Sequence, residues 1–170
     1  MSTTIRRATV QDADDIATVH VAGWRAAYQE LLPADLLASL SISDRADMWR
    51  TRLADDDTAV WIAEDGHFLL GFASAGPSRY RDAPSTTGEL YALYIHPARW
   101  AAGVGTLLLA TAVAHLDQQF TAATLWVLRG NARARRFYEH NCWQPDGSER
   151  VEQRFHATLD EVRYARELTS

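Results

Sequence analysis

The chain has 170 residues, of which 47% are hydrophobic and 23% charged, and a formal net charge of −5 at pH 7. That length supports one domain, residues 1–170, with a core that needs no covalent staple, and the single cysteine, Cys142, rules out an internal disulfide and suits a reducing cytoplasm. An acidic balance disfavours a nucleic-acid partner, no apolar run reaches the length of a membrane span, and residues 1–11 have no apolar core of the signal-peptide kind.

In chain order, Asp12 opens a helix, with Asp14 and Asp15 favourable at the positive end of its dipole. Ile16, Val19, His20, Gly23 and Ala27 form its inward stripe, while Trp24 and Tyr28 sit four apart on an adjoining face. Leu31-Leu32-Pro33 breaks this helix, residues 35–40 form a short second one, and Ser43-Asp44 cap a third over 45–53. Residues 60–63 and 69–76 read as a hairpin around Glu64-Asp65-Gly66-His67, and the polar stretch 77–88, with its two prolines, reads as a loop. Residues 89–95 make a strand that Pro97 ends for want of an N–H, with Glu89, Tyr91 and Leu93 on one face by alternation. A strand over 124–128, a short helix capped by Asn131, and a closing antiparallel pair at 149–155 and 161–167 complete the chain. This order of elements describes an α/β fold, a mixed sheet covered by helices on both faces.

Between the strand at 89–95 and a helix over 106–116 lies Trp100-Ala101-Ala102-Gly103-Val104-Gly105-Thr106. Gly103 and Gly105 permit backbone conformations and close approach that a Cβ would forbid, and the first amides of the following helix, lacking internal partners, form an anion site. A Walker loop is excluded, because Thr106 and Leu107 follow Gly105 and the chain has no lysine. A dinucleotide fingerprint is excluded too, since Leu108 stands where a small residue belongs and no acid follows at the ribose-binding distance.

The glycine loop resembles motif A of the GNAT superfamily of acyl-CoA-dependent N-acyltransferases, Gln/Arg-x-x-Gly-x-Gly/Ala, with Trp100 in place of Gln or Arg. Residues 131–143 resemble motif B of the same superfamily: Asn131, Ala134, Phe137, Tyr138 and Glu139 match, while Cys142 and Trp143 replace the usual Gly and Phe. Ile5-Arg6-Arg7-Ala8-Thr9 looks like the superfamily's first strand, and residues 161–166 like its last.

The resemblance implies a three-layer α/β/α fold whose splayed central sheet admits acetyl-CoA as cosubstrate, without a metal. It places the pyrophosphate on Ala101, Ala102, Gly103, Val104, Gly105 and Thr106, and the pantetheine arm on the backbone of Tyr94 and Ile95. Asn131 and Arg135 join them, Arg135 being one of four arginines in the motif B segment with Arg129, Arg133 and Arg136. The activity implied is direct transfer of an acetyl group to a primary amine, small molecule or peptide, with homodimerisation left open. Tyr138 takes the role of general acid, protonated at neutral pH as a phenol should be. Glu89 opens the long strand as the base, with His96 and His20 as runners-up. Trp24, Tyr28, Arg79, Tyr80 and Tyr91 are the acceptor-pocket candidates. The six histidines show no metal-ligand spacing. A non-catalytic acyl-CoA sensor is the competing reading, and a nucleic-acid reading of the arginine cluster stands third.

Overall fold

A computed structural model describes residues 2–169. In chain order the elements are β1 (Thr4–Arg7), a 3-10 turn (Val10–Asp12), α1 (Ala13–Ala27), α2 (Ala34–Ala38), α3 (Ile42–Leu53), β2 (Ala59–Asp65), β3 (Phe68–Pro77) and β4 (Thr87–Ile95). A second 3-10 turn (Pro97–Arg99), α4 (Val104–Asp117), β5 (Ala122–Leu128), α5 (Ala132–His140), β6 (Gln144–Arg154) and β7 (Ala157–Glu167) follow. The strands form one seven-stranded sheet in the order β1-β2-β3-β4-β5-β7-β6. Every pairing is antiparallel except β4 with β5, whose parallel crossover is α4.

Helices α1 and α3 cover one face, where Ile16, Ala17, Trp49 and Phe72 are buried together, and α4 covers the other through Leu108, Leu109, Ala112 and Leu116. The expected stripe of α1 is buried at Ile16, Val19, His20 and Gly23, with Ala27 only half-buried. Asp12 stands at the N-terminus of α1, but its carboxylate turns back to the Thr9 amide (2.7 Å) and to Arg6 (2.9 and 3.0 Å).

Three local features depart from the sequence reading. Helix α3 begins earlier than expected, and its cap is Ser41, not Ser43: the Ser41 hydroxyl accepts the Asp44 amide at 3.1 Å. The closing hairpin is longer at both strands, reaching Gln144–Arg154 and Ala157–Glu167 around a turn at Phe155 and His156 with φ of 52° and 64°. Such a turn normally calls for Asn-Gly; here the Phe155 ring packs against Trp24 at 5.4 Å, which holds it. Finally, β4 carries a bulge. Ser74 pairs with Ala92 but Ala75 with Leu90, leaving Tyr91 as the extra residue. The bulge reverses the alternation, so Glu89 shares a face with Ala92 and Tyr94 and not, as simple alternation implies, with Leu93.

Candidate active site

Strands β4 and β5 are paired at only three positions, Thr87 with Ala122, Gly88 with Ala123 and Glu89 with Thr124. Beyond Glu89 they diverge, and a cleft of about 670 Å³ opens between them. The amide of His96 donates to Leu70 at 2.7 Å, so the alternating β3–β4 ladder consumes the backbone groups of Tyr94 and turns those of Leu93 and Ile95 into the gap. Of the two backbones expected there, Ile95 faces the cleft and Tyr94 contributes its side chain instead.

The loop after β4 forms one wall. The amides of residues 101–106 have no acceptor among the described residues, and the first bond of α4 runs from Leu107 to Gly103 at 3.2 Å. Gly103 has φ of +82°, with open space where a Cβ would stand, and Ala101 also has a positive φ, 63°. Left-handed residues interspersed in this way turn successive amides into one concavity at the positive end of a fourteen-residue helix, an anion cradle. Gly105 is helical, and a Cβ there would sit at ordinary distance from Phe137 (3.5 Å) and Ile95 (3.6 Å). Ala101, Gly103, Val104, Gly105 and Thr106 line the cleft, whereas Ala102 belongs to the loop without lining it.

Trp100 donates its indole N–H to the Ile95 carbonyl at 3.0 Å, tying the loop to β4. The guanidinium of Arg133, on α5, stacks over that indole at 3.6 Å and lines the cleft with no carboxylate partner among the described residues. Arg135 is placed elsewhere. It donates to the Tyr164 hydroxyl (3.0 Å) and the Arg129 carbonyl (2.9 Å), which takes it out of the cleft. The clue to Arg133 in the sequence was Trp100: losing the polar residue usual at that position calls for a charge from another element.

Asn131 caps α5 by accepting the Ala134 amide at 3.2 Å, so its side-chain oxygen is committed while the residue lines the cleft. At the other end of α5, Trp143 donates to the Tyr138 carbonyl (3.0 Å) and Cys142 to the Glu139 carbonyl (3.3 Å), the bond pair of a Schellman cap. The cap requires Cys142 to adopt φ of 69°, a conformation in which glycine has no steric cost. Trp143, fully buried, packs its ring 6.3 Å from that of Tyr138, so the end of the helix fixes the phenol. The Tyr138 hydroxyl has no hydrogen-bond partner among the described residues, and burial, helped by nearby Tyr94, raises its pKa above the ordinary phenol range.

On the α1 side, Glu89, Arg79 and Tyr91 border a smaller cavity of about 190 Å³ that shares Trp24, Tyr91, Ala92, Tyr94 and Arg154 with the cleft. Glu89 is only 6% exposed, and one carboxylate oxygen accepts the Arg79 amide at 2.9 Å. The Tyr91 hydroxyl donates to the Pro77 carbonyl, the Arg79 guanidinium lies 3.6 Å over its ring, and burial pushes its pKa up to about 12. Trp24 donates to the Tyr94 hydroxyl at 2.9 Å, and Tyr28 meets the same oxygen at 3.1 Å. Gly23 makes room for this cluster, since a Cβ would approach Tyr94 to 2.9 Å.

His20 borders the small cavity, but its Nδ1 already accepts the Trp49 indole N–H at 3.1 Å, and burial together with Arg45, Arg52 and Arg154 holds its pKa well below the usual value. His96 is a turn residue, its Nδ1 accepting the Ala98 amide at 3.2 Å. Tyr80 borders neither cavity and stacks on Trp126 at 6.1 Å. Arg154 and Phe155, which border the small cavity, carried no signal in the sequence because the hairpin turn that places them lacks turn residues.

Comparison with known proteins places this architecture. The model of the acetyltransferase (GNAT) family matches residues 24–142. An uncharacterized N-acetyltransferase of Bacillus subtilis (strain 168), YuaI, is 38% identical over 130 residues, covering 75% of this chain and 73% of that protein. An uncharacterized N-acetyltransferase of Archaeoglobus fulgidus is 29% identical over 136 residues, covering 79% and 88% respectively. Among solved structures, PaiA N-acetyltransferase from Thermoplasma acidophilum, in complex with coenzyme A, superposes with a TM-score of 0.77 at 20% identity over 98% of this chain and 99% of that one. YncA from Salmonella typhimurium, with its cofactor acetyl-CoA, does so with a TM-score of 0.73 at 20% identity over 100% and 96%. At such identities the structural likeness is one of fold.

Proposed function

This chain belongs to the acetyltransferase (GNAT) family, and from that membership we propose that it moves the acetyl group of acetyl-CoA onto a primary amine by direct attack, with Glu89 as base and Tyr138 as acid. The observation that carries the reading is the split sheet: a free amide cradle on one lip, an unpartnered phenol on the other, and a buried carboxylate where the strands begin to part.

The residues present fit the cosubstrate. The open space at Gly103, the free amides of residues 101–106 and the Arg133 guanidinium suit a pyrophosphate, and the gap-facing backbone of Leu93 and Ile95 suits an extended amide-bearing arm. Bound acetyl-CoA supplies an activated thioester.

An alkyl ammonium resembles lysine, with a pKa near ~10.4, so near neutrality it must shed a proton before it can attack. Glu89, steadied by the Arg79 amide, accepts that proton directly or through water. The carbonyl oxygen gains charge as the N–C bond forms, where a gap-facing amide of β4 meets it, and gives that charge up as the C–S bond breaks; the attacking nitrogen sheds its second proton to water, which restores the Tyr138 phenol after it has given up its own. Tyr138 gives its proton to the departing sulfur; because its hydroxyl carries no competing hydrogen bond and its pKa is raised, the proton is present at working pH. Trp24, Tyr28, Arg79 and Tyr91 surround the acceptor.

Thiol release from acetyl-CoA across a broad amine panel, with mass spectrometry of the product, tests the proposal. Acetylated amine is the expected result. Tight acetyl-CoA binding with no amine acetylated would leave the sensor reading in its place.

A further inference from the structure

We propose that the acceptor amine carries an anionic group a few bonds from its nitrogen, as an amino acid does, held by Arg52 and Arg79 while the amine meets Glu89. The inference rests on the acetyl-transfer reading and names the acceptor class of that same site.

The small cavity brings four arginines to its walls: Arg52 from α3, Arg79 from the loop after β3, and Arg150 and Arg154 from β6. Two are spoken for. Arg150 and Arg154 grip the buried carboxylate of Glu161 at 3.0 and 2.8 Å, and Arg150 also meets Glu152 at 3.6 Å. Arg52 and Arg79 form no ion pair among the described residues. Each lies instead over an aromatic ring, Arg52 over Trp49 at 5.4 Å and Arg79 over Tyr91 at 3.6 Å. A ring face orients a guanidinium and leaves its charge uncompensated.

A third cation stands behind the wall. Arg45 is 2% exposed, sandwiched between Phe155 (3.4 Å) and Trp24 (4.9 Å), and both of its terminal nitrogens lack a hydrogen-bond partner among the described residues. Burial lowers its pKa to about 10, with Arg52 and Arg154 adding to the effect, and it remains charged at neutral pH. Three cations without an ion-pair partner, set against Glu89 and against Glu152, which Arg150 holds, make the pocket positive in a protein of net charge −5. Low-dielectric walls focus such a field, and the planar guanidinium fork matches a carboxylate or phosphonate. A purely cationic amine would be repelled. The volume, about 190 Å³, suits a small molecule rather than a bulky polycation.

The experiment uses the intact protein with saturating acetyl-CoA and matched acceptors on one carbon skeleton: an amino acid, its primary amide, the decarboxylated amine, and the aminophosphonate. Expected is a kcat/KM for the acid at least about tenfold above that for the amide, with the phosphonate arm separating planar from tetrahedral anions. Arg52→Gln and Arg79→Gln should each raise KM for the acid about tenfold and shrink the acid-over-amide ratio, while KM for acetyl-CoA stays constant and Arg52→Lys recovers part of the loss. Arg79 lies on an exposed loop, so its variant keeps the test valid if Arg52→Gln melts early. Amides or diamines that outperform acids, or variants that weaken acid and amide equally, would overturn the inference while leaving acetyl transfer standing. Acetylation of no acceptor in any arm would overturn both.

Discussion

Replacing Tyr138 by phenylalanine removes one oxygen from a ring that packs against Phe137, Trp143 and Tyr164 at centroid separations of 5.3, 6.3 and 6.4 Å. Because no group among the described residues bonds to that hydroxyl, its loss strands no donor or acceptor there, and stability should change by less than about 0.5 kcal/mol, or roughly 2 °C in Tm for a chain this long. The cradle lies on the opposite lip of the cleft, so affinity for CoA by calorimetry should stay within about twofold of wild type. The chemical step is another matter. General acid catalysis contributes about 10²–10⁴-fold, which at ~1.36 kcal/mol per decade is about 2.7–5.4 kcal/mol of barrier. That loss should appear in single-turnover rates of acetyl transfer, where slow product release cannot mask it. A phenylalanine variant that acetylates at the wild-type single-turnover rate, or one that loses CoA affinity while keeping its rate, refutes the assignment.

Four further outcomes follow from the geometry. Gly105→Val keeps its Cβ at tolerable distance from Phe137 and Ile95 and adds bulk at a position that lines the cleft beside the cradle; CoA affinity should drop about tenfold or more, read alongside a melting curve that shows the variant folded, and unchanged affinity in a folded variant would place the cradle elsewhere. Glu89→Gln still accepts the Arg79 amide yet cannot take a proton, so kcat/KM should fall about 10²–10⁴-fold at neutral pH and recover toward high pH, where the amine is already free; a pH-independent loss would argue for a structural role. Cys142→Gly relieves a left-handed cysteine, and after the entropy of the added glycine the gain should be about 0.5–1 kcal/mol, or 1–3 °C in Tm by calorimetry, with a fall in Tm contradicting the cap geometry. His20 has a folded pKa depressed below ~6.5, so the unfolded chain takes its proton first and stability, full above that pH, declines by about 1.4 kcal/mol per unit as pH falls through the window; His20→Gln should flatten that acid limb in melting experiments.

The order and type of the elements were legible because each had a local cause. Pro97 stops β4, Gly103 supplies the left-handed N-cap of α4, and Asn131 caps α5. The two motifs marked the cleft, and most residues assigned to it border it. The errors arise where tertiary structure overrides local pattern. The side chain of Tyr91 in a strand gives no sign that it is the extra residue of a bulge, yet that bulge decides which face Glu89 shares. The resemblance put Arg135 with Asn131 at the cofactor, but the Tyr164 hydroxyl and the Arg129 carbonyl claim it, and Arg133 reaches the cleft because Trp100 offers a flat ring to rest on. Phe155 and His156 turn the last hairpin without glycine or asparagine, so nothing local announced the turn that aligns Arg154 and Phe155 with the smaller cavity.

The three pairings between β4 and β5 divide the sheet into two antiparallel leaves that meet along a short seam. Glu89 belongs to one leaf, at the last stitch of the seam, and Tyr138 stands on the helix that docks against the other. The spacing of the proposed base and acid therefore depends on the angle at which the leaves are held, and the backbone itself braces that angle only at its apex. Under the acetyl-transfer reading, a cosubstrate lying across the opening, gripped by amides of one leaf and by Arg133 of the other, replaces the ladder that the diverging strands give up. Its arrival should register as slower hydrogen exchange at Leu93 and Ile95, whose amides have no strand partner across the gap.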